Sequence, residues 1–153
     1  MNEKEIQQKP VLKVDNYKQI DGRLAQSQPE KKLTLGLSAD NQELLGTLLQ
    51  KEGDGWQTLD SQPFSRILDM AIFLAQGNLY FQNAYRYDKF YNPENPQVDI
   101  IGLQGNRMTV EVATDNPTID EDIVAFHDLL RKDGELLGQR LRTLKRLLEE
   151  AGY

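Results

Sequence analysis

The stretch VDIIGLQGNRMTVEVAT, residues 98–114, decides the fold class because it carries the pattern of a β-hairpin. Two apolar-rich runs flank Gly105-Asn106, a pair of residues suited to the positive φ angles of a tight two-residue loop. In the second run every other residue from Met108 to Val112 is apolar, as in a strand with one buried face. We therefore predict two antiparallel strands, over 98–104 and 107–114.

Two other segments alternate in a way that predicts strands. Residues 33–38, LTLGLS, place three leucines on one face. The aromatic segment GNLYFQNAYRYDKFY, residues 77–91, alternates over 79–90 and predicts a long strand with aromatic side chains on both faces. Together with the hairpin, these segments predict an antiparallel sheet of about four strands.

Capping residues and apolar periodicity predict two helices in the first half of the chain. Asp40 lies three residues before Glu43, a capping-box spacing that predicts a helix over 41–52. Pro63 suits a first helical position, and FSRILDMAIFLAQ runs from there to Gly77, a natural stop. This second helix is apolar around more than half of its circumference, which is typical of a central helix covered by other elements.

The C-terminal part predicts two more helices. Thr118 precedes Glu121 at capping-box spacing, which predicts a helix over 119–132, and Asp133-Gly134 then interrupts it. The two helices either pair as a hairpin or form one bent helix. A leucine stripe on the last helix either packs on the chain's own sheet or contacts a second copy. The stripe consists of Leu137, Leu141, Leu144 and Leu148.

These segments predict a single α+β domain with helices packed mainly on one face of the sheet. A chain of 153 residues has room for one such compact domain. We predict a polar N-terminal arm over 1–32, with a loose start over 1–10, a short helix capped by Asp15 and a linker over 26–32. Residues 33–153 then form the domain and end in the two helices.

Composition and charge place the chain among soluble globular proteins. Hydrophobic residues make up 39% and charged residues 27%, and no run approaches the roughly 18 apolar residues that span a bilayer. The chain has no cysteine, which excludes disulfides and cysteine-bound zinc and fits the cytoplasmic location that we predict. The start lacks the pattern of a signal peptide. A net charge of −6 disfavours nucleic acid and anionic lipid as partners.

The sequence assigns no catalytic, cofactor or metal residue. The single histidine, His127, could share a metal with Asp115, Asp120 or Asp122, but the spacing matches no known metal motif. The alternative is that these acids are attracted to the positive N-terminal end of a helix. We predict no cofactor and no metal, and we keep a carboxylate-based or Mg²⁺-dependent enzyme as an alternative function.

Two groups of basic residues are candidates for binding single-stranded nucleic acid. Arg86 and Lys89 lie among the aromatic residues, where bases could stack. Arg142, Lys145 and Arg146 share a face of the last helix, but glutamates lie among them, and charges of mixed sign are typical of a solvated face. Nucleic-acid binding is therefore a second alternative function.

Aromatic residues form the remaining candidate site. Phe73 lies on the polar side of the central helix, and alternation places Phe81, Tyr85, Tyr87 and Tyr91 on one face of the predicted aromatic strand. That face either packs against the central helix or is left for another molecule. We predict a non-enzymatic protein-interaction or regulatory module, an adaptor or specific chaperone. It forms a homodimer and binds a protein partner through these five residues.

Overall fold

The computed structural model describes residues 8–153, so the first seven residues of the predicted arm lie outside it. Strands and helices both occur within this range, and the predicted α+β class is confirmed. The chain divides into two compact units, with the boundary between Ile72 and Phe73 inside a helix. The division predicted from the sequence lay between residues 32 and 33. We call residues 8–72 the first unit and residues 73–153 the second unit.

A four-stranded antiparallel sheet with its strands in chain order forms most of the first unit. A 3-10 helix over Tyr17–Ser27, interrupted at Gly22 with a φ of 60°, connects its first two strands. The strand predicted over 33–38 is confirmed. The residues that follow the helix predicted over 41–52 also form a strand, and another strand replaces the end of the loose arm. The strands are β1 (Gln8–Val14), β2 (Lys31–Ser38), β3 (Leu44–Glu52) and β4 (Gly55–Pro63).

The helix predicted over 41–52 is wrong, because this segment is β3, which pairs with β2 and β4 along its two edges. The residues that suggested a helix cap lie in the loop before β3. Asp40 Oδ1 accepts hydrogen bonds from Ser38 Oγ at 2.6 Å and from the Gln42 backbone N–H at 3.1 Å. Asn41 has a φ of 61°. An aspartate that bonds a nearby backbone N–H occurs in turns as well as in helix caps.

Strand β3 comes close to the first helix, α1 (Phe64–Phe81), at Gly46. A Cβ atom at this position would lie 2.6 Å from Ile67 Cδ1 and 3.5 Å from Leu35 Cδ2. Because real Cβ atoms do not approach other atoms as closely as the first distance, glycine lets the strand and the helix pack here.

The second unit contains the predicted hairpin over 98–114, which is confirmed as β5 (Gln97–Leu103) and β6 (Asn106–Glu111). Its loop is Gln104-Gly105, one residue earlier than predicted, with φ angles of 51° and 77°. Positive φ at both loop residues is what a type I′ turn requires. The hairpin is a two-stranded sheet of its own, so the predicted sheet that joins it to the other strands does not form.

The strand predicted over 79–90 is wrong, because α1 continues through Gly77 to Phe81 and a short 3-10 helix follows over Ala84–Arg86. Gly77 does not end the helix, since a glycine inside a helix costs only about 1 kcal/mol relative to alanine. The backbone N–H groups after α1 bond to carbonyls three residues earlier rather than to a neighbouring strand. They belong to Gln82, Asn83, Arg86, Tyr87 and Phe90.

The two predicted C-terminal helices are confirmed as α2 (Ile119–Lys132) and α3 (Gly134–Glu150). Only Asp133 separates them. The Asp133 N–H donates to Leu129 O, and the Leu137 N–H donates to Asp133 O, both at 2.9 Å. The first bond ends α2 and the second begins α3, so the ladder of helical hydrogen bonds is interrupted at Asp133. The helical hairpin and the bent helix both stay predictions.

Candidate functional site

The second unit contains an apolar cavity of about 300 Å³ between the C-terminal half of α1, the β5–β6 hairpin and α2. Ligand cavities begin at about this size. Its lining includes Phe73, Gly77, Phe81, Val110, Ile123 and Phe126.

The cavity combines buried aliphatic residues with half-exposed aromatic ones. Val110 and Ile123 are 8% and 4% exposed, whereas Phe73 and Phe126 are 52% and 54% exposed. A Cβ atom built on Gly77 would meet no other atom within 4 Å, so the backbone of α1 borders open space at this point. An open pocket of this kind can accept an apolar side chain or a small apolar molecule.

Glu111 and Asp122 are the charged residues among the described residues of the cavity wall, and both are acidic. Asp122 Oδ2 accepts hydrogen bonds from Asn116 Nδ2 at 2.9 Å and from the Thr118 hydroxyl at 2.7 Å. These bonds lower the pKa of Asp122, the one from Asn116 most strongly, so the carboxylate is charged at neutral pH. Thr118, which we predicted to cap α2, makes no side-chain cap.

His127 lies in an aromatic cluster next to the cavity. Its ring centroid is 4.6 Å from that of Phe90 and 6.3 Å from that of Phe81, whose ring is in turn 5.1 Å from Phe126. The side chain is 14% exposed, and Asp128 Oδ1 lies 3.5 Å from Nδ1. The imidazole therefore packs as one ring among several, an arrangement that aromatic side chains favour.

The carboxylates considered as metal ligands are dispersed or bonded to other groups. Asp120 Oδ1 accepts a 2.9 Å hydrogen bond from the Tyr91 hydroxyl, and Lys89 Nζ lies 3.3 Å from Oδ2. Asp115 is exposed in the loop before α2. Over residues 8–153, no three histidine, aspartate or glutamate side chains are grouped closely enough to hold a metal ion.

The structure separates the five predicted partner-binding residues. Phe73 and Phe81 line the same cavity. Tyr85 is 72% exposed, Tyr87 is half-buried, and Tyr91 is buried at 6% exposure. The five do not share a strand face, because the strand that would have aligned them does not form.

The cavity residues of the hairpin and of α2 were not predicted from the sequence as site residues. Alternation predicted an apolar face on the second strand, which includes Val110 and Val112, and the apolar residues of α2 follow a helical period. The cavity lies where these two surfaces meet, with Ile119, Ile123 and Phe126 on the helix side. Periodicity identifies each surface, but it holds no information on which distant surfaces come together.

The basic side chains considered for nucleic-acid binding lie close to acidic or aromatic groups. Arg142, Lys145 and Arg146 lie 2.9, 3.8 and 2.9 Å from glutamate oxygens on the same helix. Lys89 pairs with an aspartate, and the Arg86 guanidinium lies 5.0 Å from the centre of a tyrosine ring. These acidic neighbours reduce the net positive charge that a phosphate backbone would meet.

The fold and the site define a small α+β protein with an apolar cavity flanked by acidic groups. The chain belongs to the family of unknown function DUF6530, whose model matches residues 1–153. No curated protein and no solved structure gives a significant match. In the part of the chain that the structure describes, no helix is both long enough and apolar enough to cross a membrane.

Proposed function

We propose that the protein is a non-enzymatic protein-interaction module, an adaptor or a specific chaperone, that forms a homodimer. In this proposal the cavity of the second unit accepts an apolar side chain of a partner protein. The supporting observation is the cavity itself, in which the half-exposed Phe73 and Phe126 adjoin the buried Ile123. The residues that contribute most to binding at protein interfaces are often aromatic, and they lie in pockets from which water is excluded when the partner binds.

The acidic wall indicates the chemistry of the partner. Glu111 and Asp122 would stabilise a lysine or arginine next to the inserted side chain and disfavour an acidic one. A partner helix that presents a large apolar residue beside basic residues has this chemistry, and binding of such a helix in a groove is a common recognition mode. We therefore propose a basic amphipathic segment as the partner.

A library of random 12-residue peptides displayed on phage tests the proposal. Peptides selected on the wild-type protein should carry a large apolar residue beside lysine or arginine. Gly77→Leu places a side chain in the open space of the cavity, so it should weaken their binding about tenfold or more, which is about 1.4 kcal/mol. Gln76→Leu is the matched control, because Gln76 precedes Gly77 in α1 but does not line the cavity.

The charge of the wall is tested with a second pair of variants. Glu111→Gln should weaken binding of the selected basic peptides and make it less dependent on salt. Glu121→Gln, which removes the same charge from a residue outside the cavity wall, should leave binding unchanged. Equal binding to wild type and to Gly77→Leu, or failure to enrich any peptide, would contradict the proposal.

The other functions considered from the sequence were a carboxylate-based or Mg²⁺-dependent enzyme and a single-stranded nucleic-acid binder. Asp120 and Asp122 are engaged in hydrogen bonds, and the basic side chains of α3 lie beside glutamates, so no observation of the site favours either function. We also propose a cytoplasmic location, which the absence of cysteine supports.

A further inference from the structure

We infer that α3 forms the homodimer contact by pairing in antiparallel orientation with α3 of a second copy. The inference rests on the proposed dimeric state and specifies its interface. No residue of α3 is buried, although the helix carries the leucine stripe. Leu144 and Leu148 are 44% and 43% exposed, while Leu137 and Leu141 are half-buried.

The C-terminal part of the stripe is uncovered among the described residues, because Leu144 and Leu148 are both exposed. Leu137 and Leu141, nearer the start of the helix, are only partly covered. An amphipathic helix of 17 residues with an open leucine stripe gains most by burying that stripe against another apolar surface.

The spacing of the stripe indicates that the missing surface is a second copy of the same helix. Steps of four, three and four residues follow the seam of a coiled coil, and they are the same when read from either end. A two-fold axis near residues 142 and 143 would thus bring Leu137 next to Leu148 of the second copy and Leu141 next to Leu144 of the second copy. The result is a continuous seam of four leucine layers.

The charges beside the stripe select the antiparallel orientation. In a parallel pair, Arg140 would lie beside Lys145 of the second copy, and this repulsion would occur twice. In the antiparallel pair, Gly138 lies opposite Lys145, and the apolar stem of Arg140 can cover Leu147 of the second copy. The antiparallel arrangement keeps the leucine layers and avoids the like-charge contact.

Analytical ultracentrifugation of the full chain tests the interface. Wild-type protein at about 50 μM should sediment as a dimer, since closed two-fold dimers are the commonest assemblies. Leu144→Glu and Leu148→Glu should each shift it to the monomer, with helix content by circular dichroism unchanged. Leu136→Glu is the matched control, because Leu136 is 51% exposed on the same helix but lies off the stripe, and this variant should still be a dimer.

Cysteine crosslinking tests the orientation, and the cysteine-free sequence gives it a clean background. Leu137→Cys and Leu148→Cys should not crosslink alone, because equivalent positions would lie about 16 Å apart along the helix axis. A mixture of the two variants should give a disulfide-linked dimer.

Three results would overturn the inference, and they separate its parts. A monomeric wild type would overturn the dimer itself. Efficient crosslinking of Leu137→Cys alone would overturn the antiparallel orientation. A wild-type dimer that persists in Leu144→Glu and gives no mixed crosslink would overturn α3 as the interface while leaving the dimeric state. Peptide binding in the cavity is measured separately and does not depend on these results.

Discussion

The Tyr91 hydroxyl donates a 2.9 Å hydrogen bond to Asp120 Oδ1 and thereby ties the segment after α1 to the first turn of α2. Lys89 reaches the other oxygen of the same carboxylate at 3.3 Å. The hydrogen bond from Tyr91 is the main cause that lowers the pKa of Asp120, followed by the contact with Lys89. Two segments that bound the aromatic cluster are therefore held together through one charged carboxylate.

The stability that Asp120 contributes should depend on pH. Its pKa in the folded state lies below the ordinary value of about 4, so the contribution is complete above that value and is lost as the pH falls through the folded-state pKa. Asp120→Asn should lower the melting temperature at about pH 7, and the difference from wild type should shrink in acid. Tyr91→Phe keeps the carboxylate but removes its main hydrogen-bond donor, so the pH dependence should be smaller in this variant. A difference between Asp120→Asn and wild type that stays constant down to about pH 2.5 would contradict this prediction.

Gly46→Ala should destabilise the first unit by about 0.5–1.5 kcal/mol, because the added Cβ meets Ile67 Cδ1 and forces the end of this side chain out of its favoured rotamer. Urea unfolding monitored by the fluorescence of Trp56, which lies in the same sheet, measures the change.

Removing the opposing methyl group isolates this cause. Ile67→Val lacks the Cδ1 atom, so the double variant Gly46→Ala/Ile67→Val should recover part of the loss. Gly55→Ala introduces a Cβ that meets nothing within 4 Å and should change the stability little. A loss in Gly46→Ala that Ile67→Val does not reduce would assign the effect to the strand backbone instead.

Local backbone requirements explain why the hairpin could be predicted to within one residue. Its loop needs two positive φ angles, and few residues other than glycine and asparagine adopt them readily. The sequence offered Gly105-Asn106, while the structure uses Gln104-Gly105, so the glycine was placed correctly and its partner was not. The helices α2 and α3 could be predicted equally well, because the helical spacing of their apolar residues continues over many residues.

The two wrong elements fail for a different reason. Leucines at 44, 45, 48 and 49 fit one face of a helix, but they also fit a strand with neighbours on both sides, and pairing with β2 and β4 decides between the two. In the aromatic segment, the alternation of residue types does not correspond to a strand, and its first five residues, 77–81, belong to α1. The local sequence pattern contains no information on these tertiary contacts.

Only part of the candidate site could be predicted from the sequence, for the same reason. Phe73 and Phe81 were predicted as contact residues and line the cavity. They do so because α1 continues past Gly77, which places both on one helix rather than on a helix and a strand. The hairpin and α2, which complete the cavity, were predicted as elements but not as neighbours.

The loop of the hairpin should respond to substitution according to its φ angles. Gly105→Ala should destabilise the protein by about 1 kcal/mol, because Gly105 has a φ of 77°, which alanine adopts only with strain. Gln104→Asn should stabilise it by a few tenths of a kcal/mol, since Asn-Gly is a favoured pair in type I′ turns. Thermal unfolding measures both. We expect the two substitutions to change the stability in opposite directions. A stabilising effect of Gly105→Ala would show that the loop adopts another turn type.

Gly77→Leu should stabilise the protein while it blocks the cavity. Leucine favours the helix over glycine by about 0.5–1 kcal/mol, and a Cβ at Gly77 meets no atom within 4 Å, so the base of the new side chain fits and the rest can bury apolar surface in the cavity. The melting temperature should rise by about 2–4 °C. Gln76→Leu adds the same side chain next to it but replaces no glycine and enters no cavity, so its effect should stay within about 0.5 kcal/mol. A lower melting temperature for Gly77→Leu would mean that the cavity is closed at α1. A higher one combined with lost peptide binding separates the role of the cavity in recognition from any role in folding.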